Sequence, residues 1–110
     1  MHRIILSIGT NFNRESNAKL VKEIISEAFH RVHFSEELLT EPVGDVMNDE
    51  KYLNFLACCF TEDESDQIVA KTKQMETQCG NTKLLRKEGK IAMDIDLLKY
   101  DDQRFHESDW

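Results

Sequence analysis

Met93, Asp94, Ile95, Asp96, Leu97 and Leu98 set two carboxylates one residue apart in an otherwise apolar run. If the run is a strand, residues i and i+2 share a face and lie about 6–7 Å apart, so Asp94 and Asp96 project side by side. Two anions held that close favour a cation between them. Mg²⁺ takes hard oxygen ligands, commonly one or two carboxylates completed by substrate phosphates and water, and so suits this pair. Alternation of polar and apolar residues is equally what the solvent face of any half-buried strand shows. The pair becomes a site only if other groups converge on it.

The elements that would position the pair can be read along the chain. Residues 3–9 form an apolar, β-branched run closed by Gly9, which reads as a central strand buried on both faces. Residues 10–13 make a loop. From about Ser16 the positions Leu20, Val21, Ile24, Ile25, Ala28 and Phe29 recur at helical spacing, with Asn13 or Ser16 as the cap. Residues 32–39 read as a second strand, broken where Pro42 and Gly44 follow Thr40. A loop through Asp45, Asn48 and Asp49 leads to the long apolar run 52–60, another inner strand. The acidic stretch 61–65 suits the positive end of a helix dipole. In the helix that follows, Ile68, Val69, Thr72, Met75 and Cys79 share one face, and Gly80 stops it. Residues 81–90 are basic and loop-like, and 91–100 form the last strand, expected beside the first at a sheet edge. The order strand, helix, strand, strand, helix, strand predicts an α+β, ferredoxin-like βαββαβ fold: a four-stranded antiparallel sheet with two helices on one face.

Composition sets outer bounds. A chain of 110 residues, 40% of them apolar, is most simply one domain spanning 1–110. Its net charge of −7, from 14 basic and 21 acidic side chains, supplies no dominant positive field for nucleic acid or an anionic membrane surface. Lys71, Lys73, Lys83, Arg86, Lys87 and Lys90 nevertheless fall close together, which leaves room for a local anion site. Three cysteines without paired spacing describe neither a disulfide framework nor a zinc site, and point to a cytoplasmic protein. Cys58 and Cys59 should face opposite ways on their strand, as small hydrophobes. Residues 1–3 run directly into the first strand without a leader pattern, and no apolar run approaches a membrane span.

Five pieces of the chain together resemble a known family. Ile8-Gly9-Thr10-Asn11, Thr40-Glu41-Pro42-Val43-Gly44, Tyr52-Leu53-Asn54, Glu76 with Gly80, and Asp94-Ile95-Asp96-Leu97-Leu98 occur in the order and approximate spacing of the hydroxymethyl-dihydropterin pyrophosphokinases of folate biosynthesis. The resemblance implies transfer of the β,γ-pyrophosphoryl group of ATP to the pterin hydroxyl, with release of AMP. It implies that Asp94 and Asp96 are catalytic and bind two Mg²⁺ ions. It places Thr40, Pro42, Val43, Gly44, Tyr52 and Asn54 at the pterin and Glu76 at the nucleotide, while Lys83, Arg86, Lys87 and Lys90 match no family arginine and are candidates to replace part of that positive charge at the nucleotide. From the residues alone, Asn54 reads as a strand-pairing amide and Tyr52 as core packing, while residues 81–90 read as a mobile, solvated basic loop.

The chain also departs from that pattern. Asn81 stands where the family has arginine after the helix-ending glycine, and Ile91 where it has arginine before the aspartates, with Lys90 adjacent. The family continues for several dozen residues beyond the aspartates, whereas this sequence ends at Trp110; Arg104 and His106 match no family motif. Two other readings therefore stand beside the enzyme: an impaired pterin- or nucleotide-binding module, and a ferredoxin-like interaction domain whose open sheet edge could pair two copies.

Overall fold

The computed structural model describes residues 1–41 and 51–105. The expected contacts of Pro42, Val43 and Gly44, the loop through Asp45, Asn48 and Asp49, and His106 and Trp110 lie outside the described residues. Strand β1 (His2–Thr10) leads to helix α1 (Arg14–Ala28), then to two short strands, β2 (His30–Phe34) and β3 (Leu38–Thr40), and to the long β4 (Tyr52–Thr61). Helix α2 (Ser65–Gln78), a five-residue helix α3 (Lys83–Lys87), strand β5 (Asp94–Tyr100) and the two-residue β6 (Gln103–Arg104) complete the described chain. One antiparallel sheet runs β2-β4-β1-β5-β6, with β3 also paired to β4.

The core lies on one face of this sheet. Ile4, Leu6 and Ile8 of β1, Phe55, Ala57 and Cys59 of β4, and Ile95 and Leu97 of β5 pack with Val21 and Ile25 of α1 and Ile68 and Met75 of α2. Burial raises the thiols of Cys59 to about 12 and Cys79 to about 11, so both pack as neutral side chains. The opposite face carries Arg3, Ile5 and Ser7 of β1, exposed or half-buried. This corrects the expectation of a first strand buried on both faces. With both long helices on one side, an antiparallel sheet leaves its other side accessible.

Three further boundaries differ from the sequence reading. The second strand is interrupted: β2 and β3 both pair with β4, and between them Ser35 keeps the edge together, its N–H donating to Leu56 O at 2.9 Å and its hydroxyl accepting from Leu56 N at 2.8 Å. The basic segment is not a loop throughout, because Thr82 Oγ1 accepts from Leu85 N at 3.1 Å and caps α3, whose last turn holds Arg86 and Lys87 where the dipole favours cations. The last strand begins at Asp94, since the backbone of Ile91 is bonded to Asn11 instead of to a neighbouring strand. Smaller differences concern the helices. Helix α1 starts at Arg14, after Asn13 in the left-handed region (φ 49°), and Leu20 and Val69 face outward. Helix α2 ends at Gln78, and Gly80 (φ 89°) follows as the expected stop.

Glu76 closes the open side of β5. Its carboxylate, only 4% exposed, accepts from Ile95 N at 2.8 Å, supplying an acceptor to a buried N–H that no other strand of the described residues reaches. Burial raises its pKa above the ordinary carboxylate value, against the lowering effects of the Ile95 bond and Lys73. The folded state therefore holds this proton more tightly than the unfolded chain, so the contribution falls as pH rises from the ordinary value through the raised one. Glu76→Gln keeps an acceptor without a charge and is expected to be as stable as the parent at neutral pH, with a flatter pH profile. Glu76→Ala leaves the N–H unpaired and should cost about 1–3 kcal/mol. Chemical denaturation of the three proteins between pH 4 and 8 checks this; a glutamine variant as unstable as the alanine variant would contradict it.

Candidate active site

The register of three strands assembles the site. Gly9 of β1 faces Asn54 of β4 on one side and Asp94 of β5 on the other, and Ser7 lies between Leu56 and Asp96 in the next row. Asn54 also faces Leu38 of β3, and Tyr52 faces Thr40. Side chains in these rows point away from the helices, onto the open face of the sheet. Asp94, Asp96, Tyr52 and Asn54 thus share one surface, and each is half-buried.

Gly9 is required by closeness. A Cβ there would lie 3.2 Å from Asn54 Oδ1 and 3.8 Å from Tyr52 Cδ1. The absent side chain lets the Asn54 amide lie over β1, where its Nδ2 donates to Thr40 Oγ1 at 2.7 Å. Tyr52 is tied to the same surface electrostatically: burial, and then the charge of Asp94, raise its phenol pKa, while Arg86 lowers it.

The basic residues divide by position. Arg86 Nη2 stands 3.6 Å from Asp94 Oδ1. Lys90 pairs with Glu88 at 3.0 Å and lies 5.8 Å over the Phe12 ring. Lys83 and Lys87 are exposed on α3. Glu76 sits beneath the site rather than in it, its carboxylate engaged by Ile95 and 3.7 Å from Lys73. Thr40 is exposed beside Asn54. Arg86 is therefore a basic residue of α3 brought into ionic contact with Asp94.

Asn11, which the sequence reading names only as the end of the Ile8-Gly9-Thr10-Asn11 motif, is a positioning residue. Almost wholly buried, it donates from Nδ2 to Gly89 O at 2.9 Å, accepts at Oδ1 from Ile91 N at 2.6 Å, and donates its own N–H to Ile91 O at 3.0 Å. The hydroxyl of Thr10 adds a bond to Ile91 O at 3.2 Å. These contacts fasten the segment after α3 to the end of β1, next to Gly9. A buried asparagine directly after a buried threonine at a strand end is the sequence signal of such a clasp. Beside it a cleft of about 670 Å³ opens between Asn11, Phe12, Arg14, Ser16 and Lys90. A smaller groove of about 190 Å³ follows the edge of β5 between Thr72, Lys73, Asp96 and Phe105.

The comparison with known families falls on this arrangement. The family model described as 7,8-dihydro-6-hydroxymethylpterin-pyrophosphokinase matches residues 5–107, which span every row just described. The chain belongs to that family. No individual curated protein matches it.

The donor set fits the metal that pyrophosphokinase family membership implies. Among the described residues no three His, Cys, Asp or Glu side chains converge on one point. Among the described residues the carboxylate pair is no closed protein cage, and a cation bound there would draw further ligands from phosphate and water, which is the habit of Mg²⁺.

Two substitutions test the framework. Gly9→Ala should push the Asn54 amide aside at a cost of about 1 kcal/mol in stability, read by chemical denaturation; a variant as stable as the parent would show that the contact yields freely. Asn11→Ala leaves Gly89 O and Ile91 N without their side-chain partner and should cost about 1–3 kcal/mol. Hydrogen exchange is expected to quicken at residues 89–91 and stay unchanged in β4.

Proposed function

We propose that the chain, as a single domain of ferredoxin-like βαββαβ type, transfers pyrophosphate from ATP to the hydroxyl of hydroxymethyl-dihydropterin, a step of folate biosynthesis, in the cytoplasm. The observation that carries this reading is the row Asn54, Gly9, Asp94, which brings an amide and a carboxylate onto one open face. Family membership supports the activity class.

In this reading the pterin lies against Tyr52, its edge meeting the Asn54 amide and Thr40, with Pro42, Val43 and Gly44 completing the slot. A flat heterocycle needs such an apolar wall and a few fixed polar partners. Asp94 and Asp96 would hold two Mg²⁺ ions, which, when bound, neutralise charge on the triphosphate and on the oxygen that attacks it. The pterin hydroxyl loses its proton and bonds to the β-phosphorus as the bond from that phosphorus to the α-phosphate oxygen breaks, leaving AMP. Lys83, Arg86, Lys87 and Lys90 supply positive charge to the phosphates, and Glu76 keeps β5 in place beneath the nucleotide. Positioning and charge neutralisation account for most of the catalysis in such transfers.

One observation favours a second reading. Asn81 and Ile91 occupy the two positions at which the family has arginine, and the Ile91 backbone is held by Asn11. Lysine lacks the planar fork of arginine for phosphate oxygens. A protein that binds ATP and pterin without turning them over would have this composition.

Asp96→Ala separates the readings. If the pair holds catalytic metal, AMP release should fall at least about a hundredfold, with stability within about 0.5 kcal/mol of the parent at this half-exposed position. Metal-dependent nucleotide binding that falls in the variant, with no turnover in the parent, identifies the binding module. Equal nucleotide binding by parent and variant would remove the carboxylate pair from the mechanism.

A further inference from the structure

Arg86 is held from two sides. With the Asn81 amide turned so that its oxygen faces the guanidinium, that oxygen accepts from Arg86 Nη2 at 2.9 Å and from Nε at 3.0 Å. The same Nη2 stands 3.6 Å from Asp94 Oδ1. The two contacts differ in kind. The amide makes two hydrogen bonds of ordinary length, whereas the carboxylate contact is too long for a good hydrogen bond and is an ion pair alone. Both partners of that pair are partly in water, with Arg86 41% and Asp94 45% exposed, so the pair is weak and screened by salt. The guanidinium is therefore fastened to Asn81 and leans on Asp94.

We propose that Arg86 is a two-position counter-ion, resting on Asp94 in the ligand-free protein and turning to a nucleotide phosphate when a divalent cation takes the carboxylate, with Asn81 as its pivot. This rests on the pyrophosphokinase reading of Asp94 and Asp96 and adds to it an order of preference among ligands. In the ligand-free site the guanidinium offsets part of the negative charge that would attract a cation, so a free divalent ion must displace it without recompense. A cation arriving with nucleotide replaces the lost partner, because phosphate oxygens accept from the planar fork more strongly than a carboxylate 3.6 Å away. Cation and nucleotide thereby raise each other's affinity, by equal factors, as linkage requires. Asn81 carries no charge of its own. It acts through Arg86, as a positioning residue.

The test compares the parent with Arg86→Met, Arg86→Lys and Asn81→Ala in two titrations. One follows free Mn²⁺ by electron paramagnetic resonance; the other follows Mg²⁺ with α,β-methylene-ATP by calorimetry. Removing the competing charge should make Arg86→Met bind free Mn²⁺ up to about fivefold more tightly, the range of a partly exposed ion pair. The same variant should bind the nucleotide complex about tenfold more weakly. A merely structural role would move both affinities the same way. Arg86→Lys should restore the parent Mn²⁺ affinity but only part of the nucleotide affinity, since lysine cannot use both Asn81 bonds. Asn81→Ala should weaken the nucleotide complex about threefold, with Mn²⁺ affinity within about twofold of the parent. If the parent binds the nucleotide complex and Arg86→Met leaves Mn²⁺ affinity unchanged or lower, the counter-ion proposal alone is overturned. If the parent binds neither Mn²⁺ nor the nucleotide complex, the pyrophosphokinase reading falls and takes the proposal with it.

Discussion

Everything on the open face depends on the register of β1 against its two neighbours. Side chains alternate along a strand, so a slip of one residue would send Gly9 to the core and Ile8 to solvent. The alternation of Ile4, Leu6 and Ile8 with Arg3, Ile5 and Ser7 makes such a slip expensive, because each inward residue is fully buried. The same burial that stabilises the core therefore aligns Asn54, Gly9 and Asp94 in a row, although none of those three contributes to the core. Chemistry on one face is held in place by oil on the other.

Charge on that face is balanced locally. Two carboxylates of like sign sit two residues apart on β5, in a protein that is already acidic. Arg86 approaches one of them from α3. A third carboxylate, Glu76, lies below, and the charge of Asp94 is among the influences that raise its pKa. It is separated by function as well as depth, being bound to Ile95 N–H while the upper pair faces outward. The strand is thus acidic on its open side, and on its buried side the nearby acid is bonded to the backbone.

The sequence made much of this legible, for reasons that differ by residue. Asp94 and Asp96 were placed together because strand geometry has a period of two, which needs no knowledge of the remaining fold. The α2 boundaries were visible in the acidic stretch before it and in Gly80 after it. Helix α3 was not, because it is short, three of its five residues are basic, and its two leucines are not buried, so it shows no hydrophobic periodicity. Burial of β1 was overestimated at Ile5, an apolar residue that stands on the open face. The clasp by Asn11 and the grip of Asn81 on Arg86 were also hidden: both are contacts between residues far apart in sequence or on opposite sides of a helix start, and an asparagine codes equally well for a turn. Glu76 was read as a ligand residue from resemblance, and its bond to β5 depended on knowing which edge of the sheet α2 would cover.

The register of β5 against β1 shifts once, between Ile5 and Leu6. On one side of the shift Leu6 meets Leu97, on the other Ile5 meets Lys99, so Leu98 is the extra residue of a bulge. Its immediate effect is to keep Lys99 on the open side and return Tyr100 to the core opposite Ile4. It also divides the strand pair into two segments with separate alignments. Changes of length or sequence in the Tyr100 segment, including the turn into β6 and the Asp101 contact with His2, can be absorbed at the bulge without displacing Asp94 from Gly9. The fold carries a seam at Leu98, and its far side can shift while Asn54, Gly9 and Asp94 stay in one row.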